Sequence, residues 1–251
     1  MSMTCLVCHA ETEPFLEKDF LGHCGLEKCQ YVQCIQCGLV MSKTHYEMTE
    51  QEWEQVNAAF HSVPFERYDY GWKLRLSAQR DAIVVLRDAG ILPTDRLWLD
   101  WGCGGGELVR MLKERGCNIA GYDRYSQTEA EHPQLKPQAY GLVTASSVFE
   151  HIRDIDALNG IAALVSTTGA LMVHTGVFET VPKEPTWYYY MAGHCTVFTP
   201  KTMQVLFKKW GFTGLLHLRP IMTYFMLRDK LGEAHGFAAG HSGQWTFKDG
   251  F

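Results

Sequence analysis

Long apolar runs are missing from this sequence. No stretch approaches the roughly 20 residues that a helix needs to cross a bilayer, and the opening MSMTCLVCHAETEP has no apolar core of the kind an export signal requires. A soluble cytoplasmic chain with no membrane partner is the expectation. Arginine is absent from the first 62 residues, which carry three lysines against nine acids, a net charge of −6. With 23 basic and 28 acidic residues overall, net −5, the other 189 residues are nearly balanced at about +1. Neither part presents the basic face of a nucleic-acid reader, so nucleic acid is not an expected partner. Proline is scarce, at nine residues, and charged residues make up 20% against 46% hydrophobic. That composition excludes a disordered chain, a collagen and a repeat array, and it suffices for a sizeable core.

Cysteine, by contrast, is abundant and clustered. Six of nine fall before residue 38: Cys5, Cys8, Cys24, Cys29, Cys34 and Cys37; the others are Cys103, Cys117 and Cys195. In a reducing compartment this clustering points to a metal rather than to disulfides. Cys5-x2-Cys8 and Cys34-x2-Cys37 are two thiolate pairs separated by 25 residues. A two-residue spacer lets both sulfurs of a tight turn face one ion, and two such turns complete a tetrahedral site with Zn–S near ~2.3 Å. Gly38 suits the positive φ of a knuckle turn, and Tyr31 and Val32 read as a strand entering it. The pattern is that of a zinc ribbon over residues 1–45. Its Zn2+ is structural, because four thiolates leave no open coordination position, and a segment this poor in apolar residues needs it to fold. The alternatives are a set that uses Cys24 or Cys29 in place of a pair member, with His9 and His23 nearby, and six thiols buried as small hydrophobes.

Residues 47–62 carry Trp53, Val56 and Phe60 at spacings of three and four and read as a helix; 72–89 read as a stronger one, stopped by Gly90 and Pro93. Together they suggest a helical linker and cap over 46–92. Between them, Phe65 to Trp72 is an aromatic stretch, either a hinge packed on the core or a segment that closes over a ligand. A buried strand from Arg96 ends at Asp100. A glycine loop follows with Gly102, Gly104 and Gly106, a helix begins near Gly106, and Asn118 to Asp123 is a second strand ending in an acid. Strand, loop, helix, strand and acid form half of a doubly wound α/β sheet, which binds ligands beyond the carboxyl ends of its strands. Glycines admit a nucleoside close to the backbone, and Asp123 can accept hydrogen bonds from both ribose hydroxyls. A dinucleotide fingerprint would need glycine at position 107; Glu107 stands there and disfavours an oxidoreductase.

The run Asp100-x-Gly102-x-Gly104-x-Gly106, with Asp123 in place, resembles the first motif of class I S-adenosylmethionine (SAM) methyltransferases. Further elements are similar in order. Leu142 to Ile152 resembles the fourth strand and the Glu150-His151 element that opens the next helix. Ala170 to Val177 resembles the fifth strand. Gly193 to Pro200 resembles the loop before the last helix, with Thr199 as N-cap and Pro200 at N1, and 213–218 and 222–228 resemble the closing antiparallel pair. The resemblance covers roughly 65–230 and implies a Rossmann-like sheet, with a SAM-binding domain over 93–230 and a C-terminal tail over 231–251. It implies cofactor contacts from Asp100, Gly102, Gly104, Gly106, Asp123 and Ser146. A zinc ribbon ahead of such a domain resembles a subgroup of sugar and natural-product pathways, including sugar C-methyltransferases. The chain departs from the family in three places. Between Asp123 and Leu142 the segment is short and holds Pro133 and Pro137, so the third strand is expected to be short or absent. Gly141 stands where Asp is frequent before the fourth strand. A counterpart of the long C-terminal domain of the sugar C-methyltransferases is not expected, which sets this chain apart from that activity.

Transfer from the sulfonium of SAM is an in-line displacement in which positioning dominates, and an acceptor can also need a base, for which histidine is suited. His194 and His151 are the candidates, against loop packing for the first and hydrogen bonding at a helix start for the second; His174, within a strand, reads as a satisfied core residue. Trp187 to Tyr190 precede His194. Four consecutive aromatics cannot all face one core, so some are expected to line a pocket, and Tyr188 joins the catalytic candidates. The acceptor is expected between the stretch near Tyr68, the loop from Trp187 to His194, and His151. The function expected is methyl transfer to a small molecule, a sugar or natural-product intermediate. The alternatives are a methyltransferase acting on RNA or protein with the ribbon as reader, disfavoured for RNA by the −6 charge, and a non-catalytic SAM- or zinc-binding scaffold.

Overall fold

A computed structural model describes residues 3–62, 71–125 and 133–249. The chain begins with strands Thr12–Asp19 (β1), Lys28–Cys34 (β2) and Val40–Ser42 (β3) and a short helix, Lys43–Glu47 (α1). Glu50–His61 (α2) follows because Thr49 caps it: its hydroxyl accepts from the Glu52 backbone N–H, and the Glu52 carboxylate accepts from the Thr49 N–H. Trp53, Val56 and Phe60, the periodic residues of the sequence, are its buried face. Next come Trp72–Asp88 (α3), Trp98–Trp101 (β4), Glu107–Lys113 (α4), Ile119–Tyr122 (β5) and Tyr140–Ser146 (β6). Then follow Ile155–Leu164 (α5), Val165–His174 (β7), Thr196–Val197 (β8), Pro200–Lys209 (α6), Gly214–Leu218 (β9), Thr223–Leu227 (β10), Leu231–Gly240 (α7) and Trp245–Asp249 (β11).

Compactness groups the chain into two units, each made of three stretches of sequence. The first comprises Met1–Tyr70, Glu150–Ile155 and Gly176–Leu206; the second comprises Gly71–Phe149, Asp156–Thr175 and Phe207–Phe251.

The first unit is built on a four-stranded sheet of order β1-β2-β3-β8, antiparallel throughout. Its core is aromatic: Phe15, Phe20, Tyr31, Trp53, Phe60, Tyr189 and Tyr190. Polar ties hold its distant segments together. Arg153 donates through Nη1 to the carbonyls of His45 and Met48 and through Nη2 to Glu50 at 2.7 Å, with its guanidinium over Trp53. Buried His45 bridges Ser42 Oγ at 2.6 Å and the Ala192 carbonyl at 2.9 Å. Thr199 and Thr202 both donate to the Cys37 carbonyl, and Thr199 also accepts from the Thr202 N–H as the N-cap of α6.

The second unit is a seven-stranded sheet of order β11-β9-β10-β7-β6-β4-β5. From β5 to β7 the strands are parallel; β10, β9 and β11 add antiparallel. Its core is mainly aliphatic, with Ile83, Leu86, Leu112, Leu142, Met172 and Leu216 fully buried beside the aromatic Trp98 and Phe225. Three details differ from expectation or extend it. No strand lies between β5 and β6 among the described residues, and 126–132 fall outside them. Glu150-His151 does not open the next helix: the two sit on a separate 3-10 turn, Phe149–His151, and α5 starts at Ile155. The expected C-terminal tail over 231–251 contains regular structure among its described residues. Leu231–Gly240 is α7 and Trp245–Asp249 is the edge strand β11, whose Trp245, buried on the core side, pairs opposite Leu218 on β9.

Candidate active site and metal centre

In the second unit, β4 delivers Asp100 to the carboxyl edge of the sheet, fully buried, with its carboxylate accepting from Thr144 Oγ1 at 2.5 Å. Burial pushes this carboxyl up to about 7, against the opposing pull of the Thr144 hydroxyl. The loop then turns through Gly102, Gly104 and Gly106, with φ of 75°, 52° and 74°. A Cβ on Gly102 would stand 2.6 Å from Val148 Cγ2, so only glycine fits there. At Gly104 and Gly105 nothing lies within 4 Å of an added Cβ, which leaves the backbone open to a ligand. Gly106 is the left-handed residue from which α4 starts. Asp123, just past β5, clamps the loop: Oδ2 accepts from the Gly104 N–H at 2.8 Å and Oδ1 from the Tyr125 N–H at 2.9 Å. Each oxygen keeps a lone pair for a further donor. Ser146, at the end of β6, donates to Gln79 Oε1 at 3.0 Å, and the buried Gln79 Nε2 has no partner. The set fits a nucleoside cofactor: an open glycine backbone, a carboxylate beside it and an unsatisfied buried donor close by. Sequence reasoning missed Gln79, because a glutamine within an amphipathic helix carries no motif signal.

In the first unit, Glu150 and His151 meet His194 of the loop before β8, the ligating atoms of the three lying within 4.8 Å of one another. The two rings meet edge-on with centroids 4.9 Å apart. His151 Nδ1 is 2.7 Å from the Gly193 carbonyl and His194 Nδ1 is 2.9 Å from the Tyr189 carbonyl. A carbonyl only accepts, so each Nδ1 carries the proton and each Nε2 carries the lone pair. Burial lowers His194 to about 4 and His151 well below its ordinary value, so both are neutral near pH 7. Cys195 anchors the group through its N–H to the Glu150 carbonyl at 2.9 Å. Of the aromatic run, Tyr189 and Tyr190 are core residues whose hydroxyls bond the Gly176 N–H and the Pro182 carbonyl, whereas Tyr188 is 61% exposed. His174 is satisfied by the Ile221 carbonyl at 2.9 Å within the second unit. Tyr68 and its neighbours 65–70 lie outside the described residues. Glu150 was visible only as part of the Glu-His element; its approach to His194, 44 positions later, is a tertiary contact that spacing does not encode.

Also in the first unit, Cys5, Cys8, Cys34 and Cys37 converge, while Cys24 and Cys29 stay outside the cluster. Cys5 and Cys37 sulfurs are 3.6 Å apart and those of Cys8 and Cys34 3.4 Å. A tetrahedral ion with ~2.3 Å bonds has sulfur–sulfur edges of about 3.8 Å, so the four fit one Zn2+. The thiol of Cys5 bonds to Cys37 and holds it down at about 5, while Cys5 itself is raised. Gly38 turns the knuckle at φ 76°, tight against Thr199. The cluster is compatible with a small zinc ribbon.

Among the described residues no helix is long and apolar enough to cross a membrane. The methyltransferase-domain family model matches residues 75–217. This chain belongs to that family, with the α/β fold of class I enzymes that use SAM. A ubiquinone biosynthesis O-methyltransferase of Aeromonas salmonicida is 31% identical over 99 residues, 31% of this chain and 42% of that protein. One of Yersinia pestis is 27% identical over 157 residues, 52% of this chain and 62% of that protein. The chain spans about half the length of the curated relatives it matches. Among solved structures, a Burkholderia thailandensis 1,6-didemethyltoxoflavin-N1-methyltransferase aligns at 15% identity with TM-score 0.49, covering 77% of this chain and 95% of that one.

Proposed function

We propose that this protein transfers the methyl group of SAM to a small-molecule acceptor, a sugar or natural-product intermediate, in the cytoplasm. The observation that carries the reading is the glycine loop clamped by Asp123 through the Gly104 N–H. Asp123 would hold the ribose, Gly102, Gly104 and Gly106 would pass close to the nucleoside, and Asp100 and Ser146 would complete the cofactor contacts. SAM supplies an activated methyl on a sulfonium. The O-methyltransferase names of the sequence relatives favour an oxygen acceptor. Such an acceptor gives up a proton, and His194, neutral and with Nε2 available, is the proposed group to take it, with His151 second. Tyr188, the exposed ring of its run, is proposed as an acceptor contact. The four cysteines are proposed to hold a structural Zn2+, and nucleic acid is not proposed as a partner.

The test is turnover with methyl-labelled SAM and a panel of hydroxyl acceptors. His194→Ala is expected to lower kcat by about 10²–10⁴-fold and to leave SAM affinity unchanged, so that the loss is not confined to KM. Normal turnover in that variant would remove His194 from the chemistry.

A further inference from the structure

We infer that Glu150, His151 and His194 form a second metal centre, which takes a divalent cation of the borderline class, Zn2+, Fe2+ or Co2+, through one carboxylate and two imidazoles. The ligating atoms of the three residues already lie within 4.8 Å of one another, with Glu150 and His194 buried. Both rings are fixed in the tautomer that ligation needs. The Nδ1–H of His151 is held by the Gly193 carbonyl and that of His194 by the Tyr189 carbonyl, which directs each Nε2 lone pair away from the backbone. A backbone carbonyl on the distal nitrogen is the usual support of a metal-bound histidine, because it sets ring orientation and raises basicity. The backbone of Glu150 is pinned as well, its carbonyl accepting from the Cys195 N–H. Two nitrogens and one oxygen suit the imidazole-binding metals rather than Ca2+ or Mg2+, which take oxygen shells.

The contrast with the four-cysteine cluster is chemical. Four thiolates close a tetrahedron, whereas three protein ligands leave at least one position open, the arrangement of a catalytic ion. A cation in that position acts as a Lewis acid on a bound oxygen and lowers its pKa. With the ion bound, the proposed role of His194 deepens from taking the acceptor proton directly to acting on it through the metal-bound oxygen. The functional side of this inference rests on the reading of His151 and His194 as catalytic groups; the binding side does not.

The experiment uses the full chain with its cysteine cluster loaded with Zn2+ and Co2+ as the probe. The wild type is expected to take one further equivalent of Co2+, with ligand-field absorption of a nitrogen–oxygen site and no thiolate charge-transfer band. Glu150→Gln and His194→Gln, each near its parent in size and checked for fold by circular dichroism, are expected to weaken that equivalent by about tenfold or more. If one variant unfolds, the other carries the comparison. The inference is overturned if the Zn2+-loaded chain takes no further Co2+ at millimolar concentration, if both variants bind it as the wild type does, or if the added ion shows a thiolate band. SAM calorimetry on the same samples separates the two readings. Co2+ binding without SAM binding keeps this site and removes the methyltransferase reading, and the converse removes only the site.

Discussion

The two units bury their large side chains on different scaffolds. In the second, the parallel strand β6 is buried along almost its whole length and β7 ends in the buried run Ala170 to His174. Such a unit is stabilised chiefly by apolar burial, at roughly 25 cal/mol per Å². The first unit has an aromatic-rich core, and its three chain segments are joined by discrete polar and sulfur contacts: Arg153 to α1 and α2, His45 to Ala192, Thr199 and Thr202 to Cys37, and the four cysteines to one another. A unit of the first kind degrades gradually under substitution. A unit of the second kind fails when one tie is cut, because the partner left behind is buried and unsatisfied.

The largest difference should appear when the cysteine cluster is broken. Cys34→Ser is expected to release the Zn2+ and to abolish amide-exchange protection across β1, β2 and β3, while protection in β6 and β7 persists. Metal analysis and hydrogen exchange by mass spectrometry read both units in one experiment. A variant that keeps its metal, or that loses protection equally in both units, would erase the distinction.

A smaller, opposite-signed pair comes from pH. Burial pushes Asp100 in the second unit up to about 7 and His45 in the first down to about 4. The raised carboxyl gives stability that is complete below its unfolded value near ~3.9 and is lost as pH rises through about 7. The depressed imidazole works the other way: no penalty exists above its unfolded ~6.5, and stability is lost as pH falls from there towards about 4. Each pKa unit corresponds to about 1.4 kcal/mol, so Asp100 is worth about 4 kcal/mol and His45 about 3.5 kcal/mol, each across its window. Asp100→Asn should flatten the exchange-derived stability of β4 and β6 between pH 4 and 7, and His45→Gln that of α1 between pH 4 and 6.5. Slopes of the same sign in the two units would contradict the assignment.

Legibility in the sequence follows the range of the contacts. The cysteine pairs and the glycine loop with its two acids were readable because each is a local spacing tied to one geometry. The buried face of α2 was readable because Trp53, Val56 and Phe60 repeat at helical spacing. What escaped was long-range. Trp245–Asp249 is five residues behind a glycine-rich helix, and only the open edge of β9 makes it a strand. The grouping of Glu150 with His194, the bridging role of His45 and the interleaving of the two units all depend on contacts across more than 40 positions, which composition and periodicity do not report.

The central claim is that the loop from Gly102 to Gly106 and Asp123 bind SAM, and calorimetric titration of SAM into wild type and Asp123→Ala tests it most directly. Loss of the carboxylate removes the charged hydrogen-bond acceptor proposed for the ribose, worth roughly 1.5–3 kcal/mol, and also the clamp on the Gly104 N–H. The account predicts saturable binding to the wild type and affinity lower by about tenfold or more in the variant. A folded wild type that releases no binding heat, or a variant that binds SAM as tightly as the wild type, would contradict it.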